Sequence, residues 1–501
     1  MRLQTPTLLI DFGSTYTKLV VVDLARELLV AQSAAVTTAD TDITIGLREA
    51  LARLPNGLGR EARHFPHKLA CSSAAGGLRV VAIGLVPELT AEAAKRAALG
   101  AGARVLAAYA HHLTLDELQQ IVALAPDVVL LAGGTDGGNQ HVILHNARVL
   151  AQSTLSAPVV VAGNKDVAAD VAAILRRGGK DVRVAENVMP RLGQINVHPA
   201  RQAIRGVFVE RIVEARGFKA AEAYVERILM PTPAAVSVAA QLLAEGMDDG
   251  ADLDRASADL GRASADLDRA SADNAIPMAR RASGKGGLGE LMVVDIGGAT
   301  TDVHSIAVGE SQDRTVIQRG LPEPYAKRTV EGDLGLRVSA VSLLEAAGQE
   351  RLREHIGLAS DLDLEGITRA LAEDVGRVPD TAEEQAIDRG MARSALEQSV
   401  ARHVGTLREL YLPTGHCFIQ EGKDLTRVGH LIGTGGIFSH TTRVREILMA
   451  ALFSDAEPLL LKPRAPRLWV DRRYILWAMG LLAEVSPGAA LRLMLEHLEE
   501  V

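Results

Sequence analysis

The sequence predicts an α/β fold, and three observations carry that expectation. Apolar runs short enough for buried strands alternate with longer amphipathic stretches along most of the chain, the pattern of sheets covered by helices. A strand leading to an aspartate, a glycine turn and a cluster of hydroxyls occurs twice, at Leu8 to Val22 and at Leu291 to Ile306. A further strand-like run, Val428 to Phe438, ends in the loop Gly433, Thr434, Gly435 and Gly436.

Taken in order, Leu8, Leu9 and Ile10 lead into Asp11, Gly13, Ser14, Thr15, Tyr16, Thr17 and Lys18, after which Leu19 to Val22 continue as a second apolar run. Leu28 to Thr37 is expected to form a third strand and Ile43 to Leu54 an amphipathic helix. Leu69 to Leu85 carries Gly76 and Gly77 between two strand-like runs, which suits either a tight turn or a ligand-facing loop. Thr90 to Tyr109 is alanine-rich and reads as helix. Val128 to Asn139, VVLLAGGTDGGN, is an apolar strand and a glycine-rich loop before a helix from about His141, whose N-terminus could attract an anion. Val159 to Ala162 and a helix from Asp166 to Arg176 continue a parallel-sheet pattern. The full Gly-x-Gly-x-x-Gly fingerprint of a dinucleotide fold is absent.

Arg201 to Glu245 reads as mostly helical, broken at Pro231 and Pro233. Composition then changes abruptly into three near-identical heptads, Ala251 to Ser257, Ala258 to Ser264 and Ala265 to Ser271. Each holds one large apolar residue, half of what a coiled-coil seam needs, so a solvated insertion is expected. With the basic Gly/Ser stretch Arg280 to Gly287 it forms a linker.

Past the linker, Leu291 to Val294 deliver Asp295 to a turn at Gly297 and Gly298, followed by Thr300, Thr301 and Asp302. Backbone N–H groups freed by the glycines suit a polyphosphate, and the carboxylates suit Mg²⁺ held through its waters. In Thr329 to Arg337, Glu331 and Asp333 flank Gly332, placed either to reach a metal or water or, for Asp333, to cap a helix running to Ala347. Leu358 to Asp388 and Gln398 to Leu412 read as helical, and Trp469 to Glu484 as an amphipathic helix.

The chain has 501 residues, with 54 basic and 62 acidic side chains and a formal charge of −8. Scattered basic residues and an aromatic content of 3% argue against a nucleic-acid partner. Cys71 and Cys417 form no metal or disulfide pattern, and the histidines have no ligand spacing. No signal peptide or membrane-spanning run is read, so a soluble protein in a reducing cytoplasm is expected, with no membrane partner.

The paired hairpins and the Gly433 loop resemble the two phosphate loops and the adenosine loop of the actin, Hsp70 and sugar-kinase ATPase superfamily. That resemblance implies two lobes with ATP and Mg²⁺ in the cleft between them. The segments DFGSTYTK, SSAAGGLRVVAIGLVPELTAEAA, LLAGGTDGGN, VVVAGNKD, VDIGGATTDVHS, TVEGDLGLR and GTGGIF further resemble the glutamate mutase accessory family, called MutL or GlmL, from Leu8 to about Val485 apart from the heptads. The resemblance implies a chaperone-like ATPase that protects or reactivates a coenzyme B12-dependent carbon-skeleton mutase and meets that mutase's subunits. The different readings are a small-molecule kinase on the same fold and an actin-like scaffold.

By residue, it implies Asp11 and Asp295 as the acids holding Mg²⁺ through water. Gly13, Ser14, Thr15 and Lys18 would contact the β- and γ-phosphates, with Gly297, Gly298, Thr300 and Thr301 facing them. Asp302 would either orient water or stiffen the turn, and Gly433, Thr434, Gly435 and Gly436 would line the adenosine end. The implied division is a first lobe at 1–245, a linker at 246–287, a second lobe at 288–465, and C-terminal helices at 466–501 closing back on the hinge.

Overall fold

The computed structural model describes residues 3–38, 42–73, 78–213, 224–247, 286–311, 313, 316–358, 362–412 and 415–501. The heptads, most of the linker, and Gly76 and Gly77 lie outside the described residues.

Four strands open the chain: β1 (Pro6–Phe12), β2 (Tyr16–Asp23), β3 (Leu28–Val36) and β4 (His67–Ser72). Five more follow, β5 (Arg79–Ile83), β6 (Arg104–Tyr109), β7 (Val128–Leu131), β8 (Val159–Val161) and β9 (Val182–Val184), and then β10 (Arg227–Pro231). Strand β1 pairs antiparallel with β2 and β2 with β3, while β4 and β10 add parallel on the other side, giving the order β10-β4-β1-β2-β3. The intervening strands form a separate, wholly parallel sheet, β6-β5-β7-β8-β9.

The same design returns after residue 290. Strands β11 (Leu291–Ile296) and β12 (Thr301–Ile306) form a hairpin, and β13 (Val316–Arg319) leaves to join another sheet. Strand β14 (Ala326–Glu331) then pairs antiparallel with β12. Strands β15 (Thr406–Leu412) and β16 (Gly415–Glu421) complete the small sheet with β13. Strands β17 (His430–Thr434) and β18 (Arg467–Asp471) add parallel beside β11, and β19 (Leu498–Glu500) closes the edge. Both main sheets therefore share a five-strand order of third, second, first, fourth and fifth strand, with the first three antiparallel and the fourth and fifth parallel; the second sheet adds β19 antiparallel at its edge. The fold is the two-lobed α/β architecture of the actin and Hsp70 type.

The inner faces of the two sheets share one core. Leu9, Val20 and Leu69 of the first sheet and Leu291, Val293 and Ile432 of the second pack against the helices Thr232–Glu245 and Leu476–Leu482. Those helices approach closely because residue 480 is glycine: a Cβ there would sit 1.9 Å from the Ala235 carbonyl oxygen. The outer faces carry separate cores. Helix Ile43–Arg53 covers the first sheet, and Ala340–Ala347 and Ala382–His403 cover the second.

Four stretches differ from the helical expectation. Arg201 to Glu245 includes strand β10, and Pro233 sits in the first turn of the helix Thr232–Glu245 instead of breaking it. Thr90 to Tyr109 divides into a helix, Glu92–Gly100, and strand β6, with Gly102 at φ +88° making the turn between them. Gln398 to Leu412 ends one helix at His403 and then forms β15. Trp469 to Glu484 contributes β18 and a helix whose residues Leu476 to Leu482 are all buried, so it is a core helix rather than an amphipathic one.

Candidate functional site

In each main sheet the first strand is nearly all apolar and buried, and it carries an aspartate near its end, Asp11 in β1 and Asp295 in β11. The turn that follows is closed in the same way in both hairpins. Gly13 N–H donates to the Tyr16 carbonyl at 3.1 Å, and Gly297 N–H donates to the Thr300 carbonyl at 2.9 Å. The two turns meet, since a Cβ placed on Gly298 would lie 3.2 Å from Thr15 Cγ2. The predicted hairpins are thus brought face to face.

Their cross-strand partners have opposite charge. Asp11 stands opposite Lys18, whereas the equivalent pair in the second hairpin is Asp295 opposite Asp302. Lys18 Nζ donates to Asp11 Oδ2 at 2.8 Å, and Thr232 Oγ1 donates to Asp11 Oδ1 at 2.6 Å. Burial alone would lower the Lys18 ammonium, but Asp11 and Tyr474 hold it above its usual range. Asp295 has no such partner: its Oδ1 is buried without a hydrogen bond. Burial, with Asp302 beside it and Lys18 opposing, pushes the Asp295 carboxyl up to about 7. A buried carboxylate oxygen without a donor is the kind of group that a cation or its water satisfies.

Asp302 is committed elsewhere. Its Oδ1 accepts from Arg328 Nε and Nη2 at 2.8 and 2.6 Å, and its Oδ2 accepts from Thr300 Oγ1 at 3.1 Å. Arg328 also donates to the Leu99 and Ala103 carbonyls at 3.0 and 3.1 Å, tying β14 to the end of the first-lobe helix. Of the two expected roles, the contacts are those of a residue that stiffens the turn. Thr301 likewise spends its hydroxyl on the Leu334 carbonyl at 2.7 Å and is buried. Ser14 is exposed at the tip of the first hairpin and Thr15 is half-buried.

The glycine loop after β17 splits into two kinds of residue. At Gly433 a Cβ would strike the Phe438 ring at 2.7 Å, so this glycine makes room for core packing rather than for a purine. Thr434 Oγ1 donates to Asp471 Oδ2 at 2.9 Å. Gly435, at φ +115°, is where the chain passes the site: a Cβ there would lie 2.3 Å from the Ile296 carbonyl and 3.1 Å from Asp295 Oδ1. Around Gly436 a Cβ would meet nothing within 4 Å.

Sequence reasoning missed four residues of this region. Thr232 and Tyr474 reach the first hairpin from more than two hundred positions away. Asp471 accepts from the Ile475 and Leu476 N–H groups at 3.0 and 2.9 Å, fixing the start of the core helix. Arg337 N–H donates to the Gly298 carbonyl at 2.8 Å while its guanidinium pairs with Asp388 at 2.7 Å. No local signal marks any of them. Glu331 and Asp333 both pair with Arg402, and the helix they precede is led by Ser339, so Asp333 does not cap it. The Gly133 loop is held internally, with Asn187 Nδ2 donating to the Gly134 carbonyl and to Asp136 Oδ1. Among the described residues no group of three or more His, Cys, Asp or Glu is arranged to hold a metal directly, and no helix is long and apolar enough to cross a membrane.

The family model described as MutL protein matches residues 7–279 and 270–498. The chain belongs to the MutL protein family. A curated relative, Protein MutL of Clostridium tetanomorphum, is 47% identical over 494 residues, covering 99% of both chains. Among solved structures, xylulose kinase from Bifidobacterium adolescentis matches at 11% identity over 96% of this chain and 93% of its own, with a TM-score of 0.29. A glycerol dehydratase reactivase matches at 12% identity over 95% and 99%, with a TM-score of 0.28. Likenesses at those scores carry no argument; the fold rests on the two repeated strand orders.

Proposed function

We propose that this MutL-family chain binds Mg-ATP between the two hairpins, hydrolyses it, and serves as a chaperone-like accessory factor for a coenzyme B12-dependent carbon-skeleton mutase of the glutamate type. The observation that carries the ATP site is the facing pair of identically closed turns, with the unpartnered, buried Asp295 Oδ1 beside the Asp11–Lys18 pair. Family membership supports the mutase as client.

The residues fit the nucleotide. Asp11 and Asp295 would hold Mg²⁺ through its waters, and the metal supplies charge neutralisation on the phosphates. Lys18 would add a cation toward the β- and γ-phosphates. The backbone at Gly13, Ser14 and Thr15, and at Gly297 and Gly298 opposite, would line the phosphate chain, with the Thr300 side chain braced on Asp302. Gly435 and Gly436 would pass the adenosine end. Asp302 and Thr301 hold the hairpin's shape.

The proposed division keeps 1–245 and 288–465 as the two ATPase lobes, 246–287 as linker, and 466–501 as the segment returning to the hinge. ATP binding would bias the lobes toward closure and hydrolysis would release them, moving a bound mutase subunit so that a damaged cobalamin can exchange. The protein would work in the cytoplasm, without nucleic acid or membrane. The test is phosphate release from Mg-ATP by the purified protein and by Asp11→Ala and Asp295→Ala. Loss of about a hundredfold or more in both variants, with an unchanged fold by circular dichroism, is expected; full activity in either would overturn the two-hairpin site.

A further inference from the structure

Lys18 has a second partner, and it comes from the far end of the chain. Its Nζ lies 3.3 Å from the Tyr474 hydroxyl, to which it donates, and 4.4 Å from the centroid of the same ring. Tyr474 follows β18 of the second main sheet, so this contact joins the first hairpin to the C-terminal segment. A flexible four-carbon stem with one anchor sweeps a wide arc, and two anchors fix it.

Tyr474 is also one of the few non-glycine residues with a positive φ, alongside Glu27, Asn56, His111 and Ala125 among the described residues. Its φ is +52°, in the left-handed region that a bulky side chain enters only under constraint. A glycine would make this turn without strain, so the presence of tyrosine is explained by what its ring and hydroxyl do. The surroundings impose the conformation from both main sheets. Tyr474 N–H donates to the Asp471 carbonyl at 3.1 Å, the Asp471 carboxylate is held by Thr434 and by the helix start, and Gln32 Nε2 of β3 donates to the Arg473 carbonyl at 2.9 Å. Burial, then the nearby Asp295, holds the phenol above its usual range, so it stays neutral and able to accept from the ammonium.

We propose that Tyr474 is a positioning residue for Lys18: it clasps the ammonium from the C-terminal segment by hydrogen bond and ring face, fixing it for the phosphate chain of the nucleotide. The clasp rests on the Mg-ATP site proposed above. It also links the first hairpin to the hinge, because the turn that presents Tyr474 leads directly into the core helix Leu476–Leu482.

The test has two independent readouts. The first is Mg-ATP affinity by calorimetry in Tyr474→Phe, which keeps the ring, and Tyr474→Gly, which removes it and relieves the backbone. Weakening of about threefold and about tenfold is expected, from a lost hydrogen bond and a lost cation–π contact. Circular dichroism matching the parent's, for both variants, separates the effect from misfolding. In a Lys18→Met background the same Tyr474→Gly change should cause no further loss, since its target is gone; an equal loss in both backgrounds would overturn the clasp. The second readout needs no nucleotide: acylation of Lys18 by acetic anhydride, followed by peptide mass spectrometry, should be faster in Tyr474→Gly than in the parent. An unchanged rate would also overturn it. A parent protein that fails to bind Mg-ATP would defeat the proposed function, and the acylation rate would still decide the clasp.

Discussion

Asp11 and Asp295 occupy equivalent positions, yet one faces a lysine and the other an aspartate. That asymmetry was present in the sequence as Lys18 and Asp302, and both residues were expected at the site. What the sequence did not show was that Arg328 would neutralise Asp302 and leave Asp295 as the unsatisfied acid. Partners such as Arg328, Thr232 and Tyr474 are fixed by how sheets and helices stack, which no local pattern encodes. A separate consequence at this scale concerns two buried histidines. His304 Nδ1 lies 2.9 Å from Ser237 Oγ, and His403 bridges Ser305 Oγ and Thr329 Oγ1 at 2.8 and 2.9 Å. Burial, with Arg328 nearby, pushes His304 from 6.5 down to about 3, and burial holds His403 well below its ordinary range. Because these folded-state values lie below the unfolded one, the unfolded chain takes up protons first as the pH drops. Stability is full above about 6.5 and should fall through the window beneath it, by about 1.4 kcal/mol per pH unit for each histidine. Urea unfolding at pH 7.5, 6 and 5 checks this; His304→Gln should remove about one proton from the slope, and an unchanged slope would contradict it.

Among elements, strands with a clear apolar run were legible: β7, β11 and β17 fall within the expected stretches, and β1 and β2 overlap theirs to within two residues. The misread ones share a cause. Alanine-rich Thr90 to Tyr109 and the apolar Trp469 to Glu484 have side chains compatible with either state, and packing decided between them. The core helix Leu476–Leu482 could not be placed from its own residues, since it is buried all round and gives no face to orient it. Its contact with Thr232–Glu245 yields a prediction. Gly480→Ala puts a methyl group into the Ala235 backbone, where a Cβ would sit at 1.9 Å, so the helices must part. A loss of about 1–3 kcal/mol in denaturant unfolding is expected. A neutral effect would show that the two helices slide apart freely.

For the whole molecule, the duplication was the most legible feature, because the Asp–Gly–hydroxyl hairpin is written twice and each copy opens a sheet of the same order. The heptads stand apart from that plan. Excision of Ala251 to Asp273 should leave Mg-ATP affinity within about twofold of the parent, as for independent sites. A large loss would make the segment part of the nucleotide site. The central claim, an ATP-driven factor acting on a mutase, is tested most directly with a B12-dependent glutamate mutase inactivated by turnover. Phosphate release and recovery of mutase activity would be followed together, with the parent protein and with Asp295→Ala. Recovery that requires ATP and Asp295 is the predicted result. Hydrolysis with no recovery, stimulated instead by a sugar or small acid, would contradict the account and identify a kinase.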